Sequence, residues 1–108
     1  MNPTLLKVKQ YLEKEGWYFY ETSSFRETKG IDFHATKRLA NKTGHSWEFD
    51  VSQRELENGS FSVEINFPSI GSTNVDIVSE FIGFLNYAYA MAKQVEKIIK
   101  EDYYGAKS

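Results

Sequence analysis

The chain has 108 residues, a length that carries one domain and buries roughly 65% of its unfolded surface, enough for a core without covalent staples. It contains no Cys, which excludes disulfide frameworks, thiolate metal sites and Cys nucleophiles. With 41% apolar and 16% aromatic residues the sequence folds rather than staying disordered, and a net charge of −2 does not by itself point to nucleic acid or to a charged surface.

The N-terminal segment, Met1 to Gly16, reads as a short helix. Pro3 suits a first helical turn, Leu5, Val8 and Leu12 recur at helical spacing, and Gly16 ends the pattern. Its interspersed Lys7, Lys9, Glu13, Lys14 and Glu15 exclude a signal-peptide apolar core. The period then switches to two. Trp17, Phe19 and Phe25 share one parity; Ile31, Phe33, Ala35 and Leu39 another run; then Trp47, Phe49 and Val51; then Phe61, Val63, Ile65 and Phe67. Each run alternates with polar residues, so four half-buried strands are expected.

The turns set the register. Lys42-Thr43-Gly44 is a three-residue hairpin loop with Gly at its left-handed end, which places Asn41 opposite His45. Arg38 then faces Glu48, Asp32 faces Arg54, Ala35 faces Val51 and Lys37 faces Phe49. Asn58-Gly59 signals a two-residue hairpin pairing Leu56 with Phe61, which requires a bulge near Arg54 to restore the parity of Val51. Between strands one and two, residues 26–30 are less decisive, and a register with Tyr18 opposite Arg38 and Thr22 opposite His34 is expected.

A long helix follows, from about Val75 to about Tyr103, roughly 43 Å at 1.5 Å per residue. Ser72, Thr73 and Asn74 offer an N-cap, and Asp76 complements the helix dipole. Val78, Phe81, Leu85, Ala88, Ala92, Val95 and Ile99 form its apolar stripe. Asp76, Glu80 and Asn86 exclude a membrane span there. The order of elements predicts an α+β fold over residues 1–108: a two-layer α-β-β-β-β-α domain, a four-stranded antiparallel meander with both helices on one face.

The other sheet face is left open. It carries Tyr18, Tyr20, Thr22, His34, Thr36, Arg38, Asp50, Arg54, Glu64 and Asn66, the candidate partner-binding surface. His34 with Asp50 or Glu64 offers an acid–base or metal cluster, but three ligands cannot be assembled around one His, and a flat sheet excludes no water. The chain from Ser69 to Thr73 is a helix start without the Walker lysine, and Lys42-Thr43-Gly44 lacks any accompanying Ser-x-x-Lys. No catalytic constellation, metal site or cofactor motif is expected.

Charge is uneven. Residues 26–45 hold five basic and two acidic residues, whereas residues 46–80 hold seven acidic residues and one Arg. Tyr18 and Tyr20 beside a basic second strand suit single-stranded nucleic acid, but Glu48 and Asp50 on the same face repel phosphate. In layout alone, four strands followed by a helix is similar to single-stranded-DNA-binding folds of the Whirly type. The reading that emerges is a small non-enzymatic, cytoplasmic protein, a homodimer that binds another protein and no membrane. The alternative is a single-stranded nucleic-acid binder using the open face. A 43 Å helix overhangs a sheet whose strands reach about 30 Å. The tail residues Val95, Ile98, Ile99 and Tyr103, or the small residues Ser79, Gly83 and Ala90, are therefore the candidate dimer interface.

Overall fold

The computed structural model describes residues 3–20, 33–40, 44–55 and 61–104, with side chains for all of these except 54, 55, 61, 62, 103 and 104. Helix α1 (Pro3–Lys14) leads into strands β1 (Tyr18–Tyr20), β2 (Phe33–Ala40), β3 (Ser46–Glu55) and β4 (Phe61–Asn66), and helix α2 (Val75–Ile99) continues into a π-helical turn, Lys100–Tyr104. The four strands pair in sequence order as an antiparallel meander. This is the expected α+β arrangement, with α2 packed on β3 and β4 and α1 packed on β1 and α2.

Local chemistry explains the ends of the helices. Asn74 caps α2: its Oδ1 accepts hydrogen bonds from the backbone N–H groups of Asp76 (3.0 Å) and Ile77 (3.2 Å). Those amides are thereby occupied, so the chain before α2 is a cap and not an anion cradle. Gly16 ends α1 with φ +86°, a left-handed conformation that costs a residue bearing a Cβ about 1–2 kcal/mol. Gly44 closes the β2–β3 hairpin with φ +88°, as the loop pattern requires.

The core lies between the helices and one sheet face. Phe33, Ala35, Phe49 and Val51 from the sheet meet Phe81, Ala88 and Ala92 from α2, and all are buried. Phe81 is the hub. Its ring lies 5.5 Å edge-on from Trp47, 5.6 Å from Phe49 and 6.1 Å from Phe67. Aromatic pairs at these separations add about 0.5–1.5 kcal/mol each beyond burial.

Two registers differ from expectation, and both differences preserve the faces. Tyr18 pairs with Thr36 and Tyr20 with His34, a shift of two residues from Tyr18 opposite Arg38. The alternation dictates parity only, and no short-turn signal sets the length of the β1–β2 connection. The stacked contact of Tyr20 on His34, 4.6 Å between ring centroids, forms across this observed pair. Between β3 and β4 the ladder runs unbroken from Asp50 opposite Asn66 to Glu55 opposite Phe61. The bulge near Arg54 is therefore absent. Phe61 pairs with Glu55 rather than with Leu56, which sets Ile65 opposite Val51 without a bulge. The β2–β3 register is as expected, with Arg38 opposite Glu48. Asp32, Asn41 and the Asn58-Gly59 turn lie outside the described residues.

The overhang of α2 is covered from within the chain. Leu5, Val8 and Leu12 of α1 are fully buried, as are Val95 and Ile99 of α2. Contacts run antiparallel: Tyr11 donates to Met91 Sδ (3.2 Å), and Thr4 Oγ1 donates to Asp102 Oδ2 (2.5 Å). Lys7 also pairs with Asp102. Lys37, on the core parity of β2, reaches the open end of α1, where its Nζ donates to the Glu15 carbonyl (2.6 Å) and to the Tyr87 hydroxyl (3.1 Å). That carbonyl belongs to the C-terminal end of α1, where a cation is favoured.

The hydrogen bonds from Lys7 and then Thr4 hold the Asp102 carboxyl below the ordinary aspartate range, outweighing a small opposing effect of burial. A carboxyl depressed by folding contributes stability above its unfolded titration range and loses it as pH falls through its folded one. Chemical denaturation at pH 6 and at pH 3 should therefore show a smaller acid loss of stability for Asp102→Asn than for the parent chain. Equal losses would mean that the Asp102 contacts do not persist in solution.

Candidate open-face binding surface

Residues on the parity opposite to the core line the exposed face of the sheet. Tyr18 is 69% exposed on the edge strand β1, and its ring lies 5.6 Å from that of Tyr20 at 44°. Tyr20 stacks in turn on His34 at 25°. The three rings form an aromatic ledge along one sheet edge. Strand pairing places them: Tyr20 and His34 are a direct cross-strand pair, and Tyr18 is two residues away on the same face.

Behind the ledge the face turns acidic. His34 Nε2 lies 3.3 Å from Asp50 Oδ1, an ion-pair distance without hydrogen-bond alignment, and both side chains are about three-quarters covered. Arg38 Nη2 lies 3.7 Å from Glu48 Oε2, both exposed. Such an exposed pair contributes about 0–1 kcal/mol and serves mainly to occupy the arginine. Burial first, and then the charges of Asp50 and Glu48, raise the Tyr20 hydroxyl above the ordinary phenol range. It is a neutral hydrogen-bond donor at neutral pH. Glu64 and Asn66 extend the polar surface onto β4, where Glu64 lies opposite Ser52 and Asn66 opposite Asp50. Thr36 sits between Tyr18 and Asp50 in the ladder.

The sequence-derived residues therefore do share one face: Tyr18, Tyr20, His34, Thr36, Arg38, Asp50, Glu64 and Asn66. Arg54 occupies the same parity opposite Ser62, and Thr22 lies outside the described residues. The ledge was not legible as such, because the stacking of Tyr20 on His34 depends on a register two residues away from the expected one. His45 stands apart, stacked on Trp47 at 6.1 Å on the other side of the sheet.

The second group of candidates divides. Val95 and Ile99 are fully buried against α1, which removes them from any surface a partner can reach. Ile98 is partly buried, and the Tyr103 side chain lies outside the described residues. Ser79, Gly83 and Ala90 are exposed on the outer face of α2.

Chemically, the open face offers contact area, stacking and hydrogen bonds. Among the described residues, no group of three or more His, Asp and Glu is placed to hold a metal ion, and no helix is long and apolar enough to cross a membrane. Comparison with protein-family models, with curated proteins and with solved structures finds no match to this chain.

Proposed function

We propose that this protein is a non-enzymatic interaction domain, a cytoplasmic homodimer that binds another protein through the open face of its sheet. The observation that carries the reading is the aromatic ledge of Tyr18, Tyr20 and His34, seated on a rigid sheet and backed by carboxylates. Tyrosines on a fixed backbone give large contact area at low entropic cost, which is why they dominate protein interfaces. The acidic backing favours a partner segment that brings basic groups alongside apolar ones.

The same ledge is the feature that a single-stranded nucleic acid would use for stacking. Charge separates the two ligands. Of the basic side chains described on this face, Arg38 is paired to Glu48 and His34 lies against Asp50, while Glu64 adds a further carboxylate. A phosphate chain finds no unpaired cation among these described residues. Titration of a fluorescent single-stranded oligonucleotide at ~150 mM salt is expected to show no strong binding. Tight binding that falls steeply with salt and is weakened by Tyr20→Ala would transfer the function to nucleic acid.

A further inference from the structure

We draw no further inference here: the strongest candidate, the exposed apolar face of α2 along Val75, Ile82 and Tyr89, carries nothing because nothing in the structure shows what covers it.

Discussion

Replacing Val95 by lysine is expected to unpack α1 from α2 and to unfold much of the chain, rather than to separate subunits. Val95 is fully buried, in a core shared with Leu5, Val8, Leu12 and Ile99, all equally covered. The substitution forfeits about 1.5–3 kcal/mol of side-chain burial and leaves an ammonium group without a buried counter-charge. The combined cost is about 3–5 kcal/mol or more, against about 5–15 kcal/mol for a whole domain. Thermal melting by circular dichroism should show a midpoint lowered by more than about 10 °C. Amide exchange should show lost protection in α1 first. A parent-like melt accompanied by a halved particle mass would instead place Val95 at a subunit interface and contradict the observed position of α1.

Phe49→Ala should be nearly as damaging, for a different reason. Its ring is fully buried at the centre of β3 and lies 5.6 Å from Phe81, which also contacts Trp47 and Phe67. Removing it leaves a cavity where the sheet meets α2, and truncations of this kind cost about 3–5 kcal/mol. Tyr18→Ala, on the opposite face and largely exposed, should stay within about 0.5 kcal/mol of the parent. Urea denaturation of the two variants measures the contrast directly. Comparable losses would mean that the two sheet faces are not the buried and the open one.

The legible part of this fold was the part governed by period and by short turns. Alternation in β2 and β3, with a Gly-closed three-residue loop between them, fixed a register that pairs Arg38 with Glu48. The β1–β2 connection carried no such signal, so alternation assigned faces but not pairings and β1 was displaced by two residues; the Asn58-Gly59 signal was present but misleading, since Phe61 pairs with Glu55 and not with Leu56. The parity mismatch around Arg54 is removed by Phe61 pairing with Glu55 instead of Leu56, and not by a bulge. The overhang of α2 was likewise visible from lengths alone. What covers it was not, because the stripe of α1 fits a helix of its own chain as well as one from a second copy. Lys37 illustrates the remaining gap. Its place on the core parity follows from the β2 pattern, but its pairing with the Glu15 carbonyl and with Tyr87 requires knowing that α1 ends beside the sheet.

The open face was read as a set of residues, and its chemistry comes from their contacts. Tyr20 on His34, and His34 beside Asp50, turn separate positions into an aromatic edge with an acidic backing. That combination is the basis on which a protein segment is proposed in preference to phosphate.

The most direct measurement is affinity capture from the native host with the parent chain and with Tyr18→Ala/Tyr20→Ala, each with and without nuclease, quantified by mass spectrometry. A protein retained by the parent, depleted at least about tenfold with the double variant and indifferent to nuclease is the predicted result. Retention of the same protein by the double variant, or its loss on nuclease treatment, would contradict partner binding through the open face.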